Sequence, residues 1–182
     1  IERGVATSPE ALEQTSGVYL QRTHGAGGSP IVRGLLGHHV LLLVDGIRLN
    51  NAITRFGPNQ LLNTVDPFSL ARIEVLRGPG SLLYGSDAVG GVVNLISQTA
   101  RFDPRRAWAL GGSGVLRFDS ASAAVISHAE VTGHVREIGA RVGGTFRRFD
   151  DLSGGRDTGE QRFTSYMEGD IDTSLVWRGG AA

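Results

Sequence analysis

Arg33 and Arg77 each follow a short apolar run and each stand directly before a glycine. A guanidinium so placed offers a planar fork that pairs bidentately with a carboxylate; the plainer reading is a solvated charge at a strand end. Histidine comes next, with five in the chain. His38 and His39 are neighbours, so in a strand they point to opposite sides and share no ligand face. His128 and His134 have the same parity, yet at ~3.3 Å per residue they lie about 20 Å apart in an extended chain. They read as polar residues on one face of a strand. No metal site is expected from either pair. The absence of cysteine also removes thiolate ligands, thiol catalysis and disulfides.

Templates for nucleophiles and phosphates fare no better. Gly78-Pro79-Gly80-Ser81 has the glycines of a phosphate loop but no Gly-Lys-Ser/Thr ending to supply the phosphate lysine and the metal-binding hydroxyl. Gly85-Ser86-Asp87 lacks the Gly-x-Ser-x-Gly frame of a nucleophile elbow, and scattered Ser, His and Asp do not make a triad. Glu74 and Asp87 read as polar partners at strand or turn ends. Neither catalysis nor a cofactor is expected. Eighteen basic against eighteen acidic residues give a formal net charge of zero, so no basic face recommends nucleic acid as a partner.

The elements that must position these residues fall into two regimes that meet near residue 100. Ser8-Pro9-Glu10 predicts a helix start, with Ser8 as cap and Pro9 at the first helical position, and an end by Ser16-Gly17. Val18 to Gln21 is extended, Gly25 to Pro30 is a flexible loop, and Ile31 to Gly34 is a short strand. Val40-Leu-Leu-Leu-Val44 and Ile47-Arg-Leu-Asn50 flank Asp45-Gly46, the pair favoured in a tight type I′ hairpin turn. Asn50 to Pro67 reads as a long polar loop. In the stretch Arg72 to Ile96, Ile73, Val75 and the run Val92 to Ile96 fit buried strands. Gly78, Gly80, Gly85, Gly90 and Gly91 punctuate them, part of a total of 27 glycines without a collagen period. Tyr84 reads as a packing residue with its hydroxyl near a polar boundary, and Asn94 as a group that satisfies backbone or wall partners.

After Arg101 the pattern becomes longer stretches of alternating polarity. Trp108, Leu110, Leu116 and Phe118 share a parity opposite to Arg117 and Asp119. Ala123, Val125, Ala129 and Val131 oppose His128, Glu130, Thr132, His134 and Arg136. Ala140, Val142 and Phe146 oppose Arg141, Thr145 and Arg147. Ile171, Thr173, Leu175 and Trp177 alternate with Asp170, Asp172, Ser174 and Arg178. Such alternation fits a soluble sandwich with one wet face and equally fits barrel strands with an apolar outside and a polar lumen. Trp108 and Trp177 fit an aromatic belt or ordinary β packing. Asp150 to Gln161 is an expected exposed loop. No segment approaches the ~18 apolar residues of a spanning helix. Four strands cannot close a barrel, so the chain reads as truncated within its second domain.

Three blocks carry a family resemblance: Ile31 to Gly34, Val40 to Asn50, and Ile73 to Asn94. In order and spacing they resemble the plug domain of TonB-dependent outer-membrane receptors. The resemblance implies an α+β plug over residues 1–100, followed over 101–182 by antiparallel strands of an incomplete transmembrane β-barrel of about 22 strands when whole. Its signature positions are Asp45, Gly46, Gly78, Pro79, Tyr84, Gly85, Gly90, Gly91 and Asn94. It implies active uptake of an iron–siderophore or other metal chelate across the outer membrane of a Gram-negative bacterium. The implied partners are TonB with its ExbB–ExbD complex, the chelate and outer-membrane lipid. Arg33 and Arg77 would then lock the plug to carboxylates on the inner barrel wall, beyond residue 182. The apical segments would be Arg22 to Ser29 and Asn50 to Asn63, with His24, Arg55, Asn59 and Gln60 as candidate ligand contacts. A haem, cobalamin or carbohydrate receptor of the same family, or a soluble non-catalytic binding module, are the alternatives.

Overall fold

The structure is a computed structural model that describes residues 5–24, 27–51, 57–58, 60–120, 123–155 and 158–179, without the side chains of Thr23 and His24. The chain divides into two compact units, 1–97 and 98–182.

Helix α1 (Ser8–Glu13) opens the first unit. Its cap is Thr7, one residue before the expected Ser8: the Thr7 hydroxyl accepts the Glu10 N–H at 3.4 Å, and the Glu10 carboxylate reaches back to accept the Ala6 N–H at 2.6 Å. These reciprocal contacts are a variant of the capping box, with the Glu10 carboxylate reaching one residue beyond the cap. Ser8 is instead the first residue of the helix, and its hydroxyl donates to the Val65 carbonyl. The helix stops at Glu13, earlier than Ser16-Gly17. Strands β1 (Val18–His24) and β2 (Gly27–Val32) pair antiparallel. The expected loop from Gly25 to Pro30 is therefore corrected over residues 27–30, which are strand. Pro30 is tolerated because this two-stranded ribbon leaves an edge that needs no N–H.

The main sheet of this unit has four strands, β3 (Val40–Val44), β4 (Ile47–Arg48), β5 (Leu70–Arg77) and β6 (Gly91–Ser97), in the order β4-β3-β6-β5. The hairpin forms as read: Asp45 and Gly46 have φ of 50° and 81°, the left-handed pair that a type I′ turn requires. Strand pairing in β4 ends at Arg48 because Asn50 takes over. Its side chain accepts the Leu42 N–H at 2.9 Å and donates to the Val40 carbonyl at 3.0 Å. β3 runs parallel to β6, and β5 runs antiparallel to it. Leu12, Val18, Val32, Val40, Leu42, Leu62, Leu70, Val93 and Leu95 form the core. Ile73 and Val75 are only half-buried, since β5 is an edge strand. Nor is Asn50 to Pro67 uniformly polar loop: Leu61–Thr64 and Pro67–Ser69 are 3-10 turns, and Leu62 is fully buried. Helix α2 (Ser81–Tyr84) sits between β5 and β6.

In the second unit, β7 (Trp108–Asp119), β8 (Ala124–Val135), β9 (Ile138–Phe149) and β12 (Tyr166–Trp177) form an antiparallel meander of twelve-residue strands. The small ribbon β10 (Leu152–Ser153) with β11 (Glu160–Gln161) lies inside the connection expected as plain loop. Ala123, expected in the β8 face, is a left-handed residue before that strand at φ 43°, and Arg136 turns at φ 49° between β8 and β9. The burial is inverted relative to a soluble sheet. Ile138, Val142, Phe146, Ile171, Leu175 and Trp177 stand bare, whereas Arg141 and Arg147 are 2% exposed. Twelve residues at ~3.3 Å each span about 40 Å, which at ~45° of tilt matches the ~25 Å apolar band of an outer-membrane wall.

Gly91 offers a test of the main sheet. A Cβ there would meet the Leu76 carbonyl oxygen at 2.5 Å, whereas one at Gly111 would meet nothing within 4 Å. Gly91→Ala is expected to cost about 1–3 kcal/mol through overpacking and Gly111→Ala almost nothing, read as melting temperatures of the full-length protein.

Candidate functional site

The signature residues fall at the two opposite ends of the main sheet, where turns leave backbone groups that other groups take up. Asp45 holds its hairpin to the end of β6: its carboxylate accepts the Ser97 N–H at 2.9 Å and the Ser97 hydroxyl at 2.6 Å. Gly46 donates its N–H to Asn94 Oδ1 at 3.1 Å. Two adjacent residues thus fasten to β6 from a turn some fifty positions earlier. Gly78 and Gly80 carry the loop after β5 past Pro79 by donating to the Gly90 and Ala88 carbonyls at 3.0 and 2.7 Å, and Gly90 donates to the His39 carbonyl at 2.7 Å. Gly85, at φ 79°, ends α2. The exposed Tyr84 presents its carbonyl to Arg48 Nη2 at 3.0 Å.

Arg48 is the organiser that sequence reasoning missed. Besides Tyr84, its guanidinium reaches Ser86 Oγ and Asp87 Oδ2, both at 3.1 Å. One cation on β4 therefore fixes the whole Gly85-Ser86-Asp87 turn, which explains an acid at position 87 without any nucleophile chemistry. The available signal was Asp87 itself, an anion in a glycine-rich turn that needs a positive partner. Asn50 was also missed, and its polarity next to an apolar hairpin was the clue.

The two Arg-Gly arginines reach different neighbours. Arg33 and Gly34, at φ 53° and 80°, are the centre of a tight reversal in which Val32 and Leu35 exchange both backbone hydrogen bonds at 2.9 and 3.0 Å. This places an Arg33 terminal nitrogen 3.3 Å from where a Gly78 side chain would begin. Arg77, the residue before Gly78, donates to the Ser16 carbonyl at 2.8 Å and lies along Gly17. Both arginines are exposed, and among the described residues neither forms an ion pair.

Of the candidate ligand contacts, Arg55 and Asn59 lie outside the described residues. His24 ends β1, and its side chain is likewise outside them. Gln60 is half-buried at the start of the 3-10 turn Leu61–Thr64, its carbonyl accepting the Asn63 N–H at 2.9 Å. The two expected apical segments do touch, since Gly28 donates its N–H to Asn63 Oδ1 at 3.3 Å. Arg22 of the first segment is committed elsewhere, to a bidentate pair with Glu13 at 2.9 and 2.7 Å. Its guanidinium holds the Glu13 carboxyl below the ordinary range.

In the second unit the polar face is a charge ladder. Arg141 bridges Glu130, at 2.7 Å, and Asp172; Arg147 bridges Glu168 and Asp170 at 3.0 and 3.1 Å. His128 and Thr145 share a hydrogen bond of 2.8 Å. Trp108, Val135, Ile138 and Trp177 form one register row across the opposite, apolar face. Pairing of the buried cations across strands keeps the face in register, because an unpaired buried charge is far costlier than a paired one.

A family model described as TonB-dependent Receptor Plug Domain matches residues 1–92. The chain therefore belongs to the TonB-dependent receptor family through its plug domain, and the strands that follow are those of an open, incomplete barrel. It is 36% identical over 93 residues to the Vitamin B12 transporter BtuB of Vibrio vulnificus, a match that covers 50% of this chain and 15% of that protein. Among solved structures, the Copper transporter OprC superposes with a TM-score of 0.77 at 19% identity, over 96% of this chain and 26% of that one. The ferric enterobactin receptor PfeA of Pseudomonas aeruginosa superposes with a TM-score of 0.65 at 25% identity, over 94% and 28%. The chain thus spans under a third of the length of each of these relatives, all named as transporters or receptors.

Two outcomes follow from these contacts. Arg48→Ala should speed proteolytic nicking across 81–89 several-fold and cost about 1–2 kcal/mol, the worth of charge-assisted bonds at a partly exposed site. The Glu13–Arg22 link is half-exposed and worth under ~1 kcal/mol. Because the folded Glu13 titrates below its unfolded value of 4.5, the stabilisation is fully present above that value and lost as pH falls through the lowered one. The melting difference between wild type and Glu13→Gln should be small at neutral pH and vanish in strong acid.

Proposed function

We propose that the chain is the plug and the opening wall of an outer-membrane importer that takes up a scarce ligand, a ferric siderophore or another metal chelate, in a Gram-negative bacterium. The observation that carries this reading is the pairing of a plug-family module with a sheet whose apolar side is bare and whose charged side is buried. A channel wide enough for a chelate would leak if empty, and a folded obstruction held by polar contacts closes it reversibly. The plug occupies residues 1–100 and the wall begins at 101. TonB, driven by ExbB–ExbD, pulls the plug from the periplasmic side, and outer-membrane lipid covers the apolar face.

In this reading Arg33 and Arg77 supply the reversible contacts. Their exposure supports that role, because carboxylates of the remaining wall can engage both cations. His24, Arg55, Asn59 and Gln60 supply donors toward an anionic or carbonyl-rich ligand. Cobalamin is the second reading, favoured by the identity to a protein named as a vitamin B12 transporter; the matched region is the plug, where the obstruction is built.

Uptake of labelled ferric siderophores and of cobalamin by cells carrying the full-length protein, with and without TonB, decides the matter. TonB-dependent accumulation of a chelate is the expected result. Uptake of neither, or uptake indifferent to TonB, would overturn the proposal. Replacing Arg33 and Arg77 by Gln should remove charge-assisted contacts worth about 1.5–3 kcal/mol each. Open-channel events in planar bilayers should rise on the order of tenfold or more.

A further inference from the structure

The segment that leaves the first unit makes contacts that the transport reading does not use. Residues 100–103 lie across the polar face of the second unit's sheet, next to the turn between β8 and β9. Arg101 donates its N–H to the Thr132 hydroxyl at 3.4 Å, and Asp103 donates its N–H to His134 Nε2 at 3.1 Å. The Phe102 ring packs against the His134 ring with centroids 5.2 Å apart, and the Arg178 guanidinium lies 4.0 Å above the Phe102 centroid. Gly139 is the floor of this seat. A Cβ there would come within 2.6 Å of Phe102 Cζ and 2.9 Å of the Ala100 methyl, so only glycine admits the ring. Asp103 then folds the chain back, its carboxylate accepting the Arg105 N–H at 2.9 Å and pairing with Arg106 at 3.3 Å. Finally the Ala107 carbonyl accepts the Arg136 N–H at 2.6 Å, immediately before β7.

His134 is the unusual member. It is 4% exposed, and its Nδ1 has no hydrogen-bond partner. Since Nε2 accepts the Asp103 N–H, the ring proton sits on Nδ1, where it is a buried and unsatisfied donor, an unfavourable state. Packing alone would be served better by an apolar residue. What the imidazole adds is an acceptor for the backbone of the passing segment, presented beside an aromatic face.

We infer that this seat is a mechanical anchor. Phe102, held on Gly139 between His134 and Arg178, fastens residues 100–107 to the wall, so that a pull on the plug stops there. The inference rests on the transport reading, in which the plug is loaded from its other end. Thr132 and His134 stand on β8, Gly139 on β9 and Arg178 just beyond β12, so load at Phe102 spreads over three strands that are paired along their whole length. With the anchor gone, the eight residues from 100 to 107 become slack and add at most about 27 Å of reach. Thr132, His134, Gly139 and Arg178 are positioning residues in this device; none of them needs to touch the transported ligand.

The test is single-molecule pulling on the full-length receptor in a bilayer, by its N-terminus, without ligand or TonB. Wild type should show, after the plug has unfolded, a separate step of at most about 27 Å as residues 100–107 come away. Phe102→Ala lies outside every strand and Gly139→Val keeps a strand-forming residue, and both should abolish that step as a separate event. Hydrogen exchange supplies an independent readout. The Asp103 amide should exchange at least tenfold faster in His134→Leu and be slow again in His134→Gln, whose amide oxygen restores the acceptor. The same final step in both pulling variants, or an Asp103 amide indifferent to His134→Leu, would overturn the anchor. Neither readout requires uptake, so a receptor that fails to transport would overturn the functional reading and leave this one standing.

Discussion

A sheet that buries arginine and displays leucine has its solvent on the wrong side for water. Bare Ile171, Leu175 and Trp177 and buried Arg141 and Arg147 are each unfavourable in an aqueous monomer, the first through hydration of apolar surface and the second through desolvation of charge. Both become favourable when hydrocarbon replaces water on one side and a polar lumen lies on the other. In hydrocarbon every backbone group must find a partner within the protein, which the unbroken pairing from β7 through β8 and β9 to β12 provides along this part of the wall. The arginine ladders follow from the same constraint. A charge that faces the lumen side needs partners on the adjacent strand, directly across or on the diagonal, and Glu168 stands across from Arg147 while Glu130, Asp172 and Asp170 stand on the diagonals.

The first unit solves a different problem with different means. Its core is modest, and much of its definition comes from single side chains that satisfy backbone groups at turns. Asn50 substitutes for a missing strand residue, Asp45 and Asn94 tie a hairpin to β6, and Arg48 holds the turn after α2. Such bonds are directional and individually small. A module built from them takes one shape because each turn has its own tie, not because a large dry core dictates it.

Much of this was readable from the residues. Asp45-Gly46 names its own turn, and the alternation after Arg101 names its two faces, although period two alone leaves open which solvent each face meets. The signature glycines were readable as turns and close approaches, and Gly91 under the Leu76 carbonyl is such a case. What sequence could not give were contacts that depend on distant partners. Ser8 resembles a cap as well as Thr7 does, but it stands inside the helix with its hydroxyl turned to the Val65 carbonyl. Gly27 to Pro30 looks like loop until β1 supplies its register. Arg48 and His134 look like ordinary polar residues at alternating positions. Their roles arise from Asp87 and Phe102, which lie more than thirty positions away in opposite directions along the chain.

The parallel pairing of β3 with β6 has a consequence for biogenesis. Strands that run the same way need a long crossover, and here the partner of Val40–Val44 is not made until residues 91–95 have been added. Nothing local can close that sheet early, and the loop-closure entropy must be met before the contacts that reward it exist. A nascent polypeptide of this type stays threadable through most of the module's length. It commits to its compact form late, when the last strand arrives.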